Sequence, residues 1–199
     1  MQFIDGGVCA PQGFRAAGVY AGVKAAAGMT AAEAAKFSEE IRSGKRPAES
    51  KSDAALIAAD GPCAAAGVFT SNLVKGAPIA VCQTNLQNGR AQAIFANSGN
   101  ANTCNVDGQD KAWKMAQAAA DALGIAADDV LVASTGVIGV PLPIGPLVAA
   151  APALASKLSS HGSLDAATAI MTTDRVPKNL AVEFTVGGRT AHIGGIYKG

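Results

Sequence analysis

Aromatic side chains make up only 5% of this 199-residue chain, and charged residues only 16% against 49% hydrophobic. The first shortage excludes a core built on large rings. The interior has to be aliphatic and alanine-rich, with close backbone approaches allowed by 23 glycines. The second, together with a formal net charge of +1, removes any electrostatic reason to expect nucleic acid or an anionic membrane as partner. No apolar run reaches membrane-spanning length, and the start lacks a basic n-region and an apolar h-region. A soluble, cytoplasmic protein is expected. The four cysteines (Cys9, Cys63, Cys82 and Cys104) stand far apart with no CxxC pair, and His161 and His192 have no cysteine or histidine near them. Zinc-type spacing is absent, so no metal and no cofactor are expected, and most of the cysteines read as small reduced core residues. Only the surroundings of Cys104 could favour a reactive thiol. Neither repeats nor low-complexity linkers divide the chain, and its length suits one domain over residues 1–199.

Against this background the local signals can be taken in order. Residues 6–18 are a turn-rich opening and 19–24 read as a short strand. Thr30 and Glu33 fit a capping box that starts a helix running toward Ser43-Gly44. The charged stretch 45–51 suggests that residues 29–52 form a surface excursion whose basic side chains are solvated. Residues 54–59 and 64–70 read as strands joined at Asp60-Gly61-Pro62, and 78–83 and 91–96 as a second pair split by Asn88-Gly89. An antiparallel sheet built from hairpins is the expectation. The loop 97–102 carries three asparagines, which tolerate left-handed backbone and offer donors and acceptors; it can brace a neighbouring loop or a ligand, or be an ordinary turn. Residues 109–123 have helical spacing and end at Gly124. A loop-to-helix segment follows over 141–158, then a helix begun by Ser163. A last hairpin pairs 182–186 with 190–193 about Gly187-Gly188. The glycine-rich ending with Lys198 suggests that the natural polypeptide continues.

The apolar run 130–133 reads as a buried strand that stops abruptly in Ser134-Thr135-Gly136-Val137-Ile138-Gly139. A strand end offering backbone N–H groups beside a hydroxyl is what an oxyanion hole needs for a tetrahedral acyl-transfer intermediate. Taken alone, such a stretch is more often a plain turn between strand and helix. On their own Thr172 and Thr173 read best as helix-end hydroxyls bonded to backbone and Lys198 as a solvated lysine, and Asp174 as a turn cap or partner of Arg175.

Several separated stretches together resemble one family. They are Gly6-Gly7-Val8 with Ala10-Pro11 and residues 13–18, Ala65-Ala66-Gly67-Val68-Phe69-Thr70, and residues 96–102. Ser134-Thr135-Gly136-Val137-Ile138-Gly139, Ile170-Met171-Thr172-Thr173-Asp174, and Ile193-Gly194-Gly195 with Lys198-Gly199 complete the set. In this order they resemble the α chain of the ornithine acetyltransferases of arginine biosynthesis, also called glutamate N-acetyltransferases. The resemblance implies an α+β fold, an α/β/β/α sandwich, in which this chain is completed by a β chain cut from the same precursor.

The new N-terminal threonine of that β chain, lying beyond Gly199, would be the nucleophile, with its freed α-amine as the base. It would carry an acetyl group from N-acetylornithine to glutamate, and some members also accept acetyl-CoA. An α2β2 heterotetramer is implied as the assembly. By the same resemblance Thr135 and Gly136 correspond to the oxyanion hole, Thr173 to a substrate-binding threonine with Thr172 as the less favoured neighbour, and Lys198 to a substrate-binding lysine. Tyr197 stands where a small residue is expected, and the 29–52 region is longer than the family needs. The competing readings are a self-processing aminopeptidase of related fold and a non-catalytic scaffold subunit.

Overall fold

Among the residues described in the computed structural model, 1–45 and 51–198, the helices are α1 (Ala31–Arg42), α2 (Pro78–Asn85), α3 (Gly108–Leu123), α4 (Ile144–Lys157) and α5 (Ser163–Ala169). The strands are β1 (Gln2–Ile4), β2 (Phe14–Val19), β3 (Ala54–Ala64), β4 (Arg90–Asn97), β5 (Val130–Ser134), β6 (Lys178–Val186) and β7 (Arg189–Tyr197). They form a four-stranded sheet in the order β2-β3-β4-β5 and a three-stranded sheet in the order β1-β6-β7.

Alternation along the strands separates two environments, because successive side chains point to opposite faces of a sheet. Leu56, Phe95 and Val132 lie side by side across β3, β4 and β5, as do Ala58, Ala93 and Val130. All six are buried in the main core with Met115 and Ala116 of α3 and Leu147 and Leu154 of α4. The opposite face carries Ala16 and Ala55, which pack on Ala166 and Ala169 of α5, with Ile196 of β7 at the margin. The result is an α+β arrangement. One helical layer covers one face of the larger sheet, while α5 and the smaller sheet rest on the other.

The small residues have a specific use here. At Gly18 a Cβ would run into the Asp165 backbone carbonyl, so β2 and α5 meet at a distance only glycine permits. Gly18→Ala is expected to cost about 1–3 kcal/mol, the usual scale of overpacking. A lowered urea midpoint with an unchanged slope would register it.

The capping box is present: Thr30 Oγ1 accepts from the Glu33 N–H, and the Glu33 carboxylate accepts from the Thr30 N–H. Helix α1 is less of an excursion than residues 29–52 suggested. Its Ala34 and Phe37 are buried with Ala26, although residues 46–50 of that region lie outside the described residues. Lys51 donates to the Thr172 carbonyl at 3.1 Å, so this basic side chain is engaged and not merely solvated. The helix of 109–123 and the hairpin about Gly187-Gly188 also appear, the hairpin longer at both ends.

Three other expectations are corrected. The strand placed at 19–24 is instead β2, Phe14–Val19, and the chain after it wraps around the Asp53 carboxylate. No hairpin forms at Asp60-Gly61-Pro62; β3 runs through these residues, and the pairing with β4 shifts register between Ala58 and Cys63. Such an irregularity is where a strand tolerates a proline, which has no N–H to give. Finally, residues 78–83 are not a strand but the body of α2, begun by Pro78 in its first turn. A short apolar run does not distinguish strand from buried helix, and proline preset for the first helical turn is what decides it. The larger sheet is consequently mixed, with β4 and β5 parallel.

Candidate active site

Strand β5 delivers Ser134 to the sheet's end, and the chain turns there because two loops are laced together. The Ser134 hydroxyl donates to Asn97 Oδ1 at 2.7 Å, and the Thr135 N–H donates to the Asn97 carbonyl at 3.0 Å. Asn97 Nδ2 donates to the Asn100 carbonyl, and Asn100 and Asn105 both donate through their side-chain amides to the Val140 carbonyl. The asparagine-rich loop therefore braces the 134–140 turn. Its Asn97, Asn100 and Asn102 are almost wholly buried. Asn97 and Asn100 both donate and accept through their side-chain amides, and buried amides engaged in this way fix a unique loop geometry. Asn102 donates to the Gly108 carbonyl, while its Oδ1 has no partner among the described residues. Gly136 sits at φ +136°, and a Cβ there would strike the Gly99 and Asn100 backbone. The tight approach of the two loops thus requires glycine.

Beside this turn lies a concavity of about 240 Å³. Its apolar walls include Ile57, Ile94, Ile170 and Ile196, and its polar rim includes Asn97, Thr135 and Lys198. The Thr135 hydroxyl makes no hydrogen bond among the described residues, so it is available to something placed in the concavity. Lys198 follows β7 and brings an ammonium to the same wall. The structure thus brings two of the sequence-predicted side chains, Thr135 and Lys198, into one concavity, with Gly136 adjoining. Thr173 is not among the walls; it is exposed on the loop after α5.

A residue set aside at the level of sequence turns out to be central to that loop. The Asp174 side chain is 1% exposed and faces two lysines, Lys178 at Oδ1 and Lys198 at Oδ2, the latter 3.7 Å away. It also accepts the Thr172 N–H at 3.2 Å. Lys178 lies four residues further on, but with no helix between them that spacing is no signal by itself. Lys198 reaches Asp174 only because the β6–β7 register sets Lys178 opposite Tyr197. The Tyr197 ring lies over Lys178, its centroid 5.7 Å from Nζ, and is not part of the concavity wall.

A larger and more open hollow of about 510 Å³, lined by Lys75, Asn102, Cys104 and Gln109 among others, holds none of these site residues. The four cysteines are free thiols. Burial raises the Cys9 and Cys82 thiols above their ordinary range, backbone hydrogen bonds only partly opposing it. Among the described residues no three His, Cys, Asp or Glu side chains converge as metal ligands would, and no helix is long and apolar enough to cross a membrane.

Comparisons with known proteins agree on one family. A model of the ArgJ family matches residues 34–199. The arginine biosynthesis bifunctional protein ArgJ of Gloeobacter violaceus is 47% identical across the whole of this chain, and the chloroplastic ArgJ of Zea mays is 37% identical. The chain spans less than half the length of these curated relatives, 44% and 38% respectively. In fold, the whole chain superimposes on 94% of a chain of the Mycobacterium tuberculosis ornithine acetyltransferase complexed with ornithine, at TM-score 0.82 and 38% identity. It also superimposes on 93% of a Bacillus halodurans ArgJ chain, at TM-score 0.81 and 30% identity. The α+β sandwich expected from the sequence is the fold of these structures. Matched through most of its length by the family model and through all of it by relatives in sequence and fold, the chain belongs to the ArgJ family.

Proposed function

We propose that this chain is the α chain of an N-acetyltransferase that moves an acetyl group from N-acetylornithine to glutamate. The observation that carries the reading is the concavity at the end of β5, where an unpartnered hydroxyl, Thr135, and an ammonium, Lys198, share one apolar-walled space. The names of the relatives and the ornithine held by the Mycobacterium tuberculosis protein support the substrate class. The relatives extend well beyond the part this chain covers, which leaves room for a second piece of the same precursor. The reading takes that piece as a β chain completing this single domain, in an α2β2 assembly in the cytoplasm.

In this reading the β-chain threonine hydroxyl attacks the acetyl carbonyl of N-acetylornithine, passing its proton to the threonine's own α-amine. The carbonyl oxygen becomes an oxyanion facing the Thr135 hydroxyl and the Gly136 N–H. Collapse breaks the C–N bond, and ornithine leaves with the proton on its amine. The acetyl ester then transfers to the glutamate amine through a second oxyanion, regenerating the threonine. Lys198 pairs with a substrate carboxylate, and Thr173 adds a hydroxyl from the loop beside it.

The test is acetyl exchange by the complete protein, with peptide hydrolysis assayed in parallel and intact mass recorded. Exchange, together with a second chain that begins with threonine, supports the reading. Hydrolysis without exchange replaces it with a peptidase. In this reading the β chain covers apolar side chains that this chain exposes, such as Val68, Leu73, Val106 and Ile138. Residues 1–199 expressed alone are therefore expected to aggregate and to show no transferase activity. A soluble, active monomer would show that no second chain is needed.

A further inference from the structure

We propose that Asp174 is a positioning residue for Lys198, holding the lysine ammonium at the wall of the concavity for the carboxylate of an amino-acid substrate. This rests on the acetyltransferase reading. A carboxylate as buried as Asp174 has to be matched by cations and donors, and it has Lys178 at one oxygen, with Lys198 and the Thr172 N–H at the other. The two lysines are unequal. Lys178 makes the closer contact, whereas Lys198 Nζ stays 3.7 Å from Oδ2, beyond ordinary hydrogen-bond length. An ammonium has three donors. Lys198 is thus drawn to a defined place without having its donors used up.

The charge count points the same way. Of Asp174, Lys178 and Lys198 only Lys198 lines the concavity, so the charge nearest an incoming carboxylate is positive. Without Asp174, the four-carbon stem of Lys198 would let its head turn out toward water. The anchor is itself held from another part of the chain, since Lys51 donates to the carbonyl of Thr172 in the same loop.

The complete precursor carrying Asp174→Asn, with processed protein isolated before assay, tests this. KM for glutamate and for N-acetylornithine should rise about tenfold to a hundredfold, the scale found for groups that orient a binding residue, with kcat changed far less. Asp174→Glu should restore part of the loss. In a K198M background, which raises KM by itself, D174N should add little, because the effect acts through Lys198. If D174N does not process because loss of the carboxylate disturbs Lys178, the neutral pair D174N/K178M is compared with and without K198M instead. Equal KM penalties in the presence and absence of Lys198 would make Asp174 purely structural and overturn the assignment. Wild-type protein without acetyl exchange would overturn the acetyltransferase reading and this proposal with it, a result distinct from an active wild type whose penalties simply add.

Discussion

Thr135→Ala, in processed and fully assembled protein, is expected to lower kcat for acetyl transfer about a hundredfold to a thousandfold, on the order of 2.7–4 kcal/mol. The substitution removes a hydroxyl that has no partner among the described residues, so none of them is orphaned. It leaves the Thr135 N–H on the Asn97 carbonyl, and so the turn that carries the Gly136 N–H stays in place. In the proposed function the hydroxyl's value lies in the charge that develops on the acetyl oxygen. It should therefore stabilise the intermediate more than the bound substrate, and KM should move little. On the proposed function, cleavage of the precursor would also pass through an oxyanion, so processing is expected to slow as well, and turnover has to be compared on processed material. Steady-state kinetics decide the matter. A raised KM with unchanged kcat would make Thr135 a substrate contact, and full activity would make residues 134–139 an ordinary turn.

The parts of this site that were legible in the sequence are those carried by local signals. Thr135 and Gly136 stand where an apolar strand stops in small residues, and the asparagines of 97–102 announce a loop able to brace its neighbour. The Thr30–Glu33 box and the glycines at 187–188 likewise act within a few residues of themselves, and both features appear in the structure. What was not legible depends on contacts made far along the chain. Asp174 looks like any turn aspartate until the β6–β7 hairpin swings Lys198 back to it. Asp53 gives no sign in its own sequence surroundings that three consecutive N–H groups, some thirty residues earlier, will close on it. The misread strand at 78–83 is a different failure. Ile79, Ala80 and Val81 suit a buried strand or a buried helix equally, and only Pro78, preset for a first helical turn, separates the two.

Asp53→Asn is expected to destabilise the fold more than most single substitutions that leave side-chain size unchanged. The wild-type carboxylate accepts the Ala21 N–H at 2.6 Å and the Val23 N–H at 2.7 Å, one on each oxygen, with the Gly22 N–H reaching both. An amide of the same shape keeps one accepting oxygen and turns an NH2 group toward donors that it cannot accept. Each donor orphaned in this buried site costs roughly 1–3 kcal/mol. For a chain of this size each kcal/mol lowers Tm by about 2–4 °C.

The ionisation of Asp53 modifies this with pH. Burial pushes its carboxyl above the ordinary range, the backbone donors pulling the other way but not prevailing. A folded value above the unfolded one means that the stability linked to its proton is fully present below the unfolded value and is lost as pH rises through the folded one. The wild-type stability linked to this group should therefore be greatest in acid and decline as pH rises toward neutrality. The consequence reaches the site, because the Asp53 carbonyl accepts the Ser98 N–H and so ties the wrapped loop to the asparagine loop that braces Thr135. Thermal unfolding at two pH values, with hydrogen exchange across 97–102, measures both effects. A Tm within a degree or so of wild type at either pH, on the scale of well under 1 kcal/mol, would mean that the loop finds other acceptors and that Asp53 does not hold it.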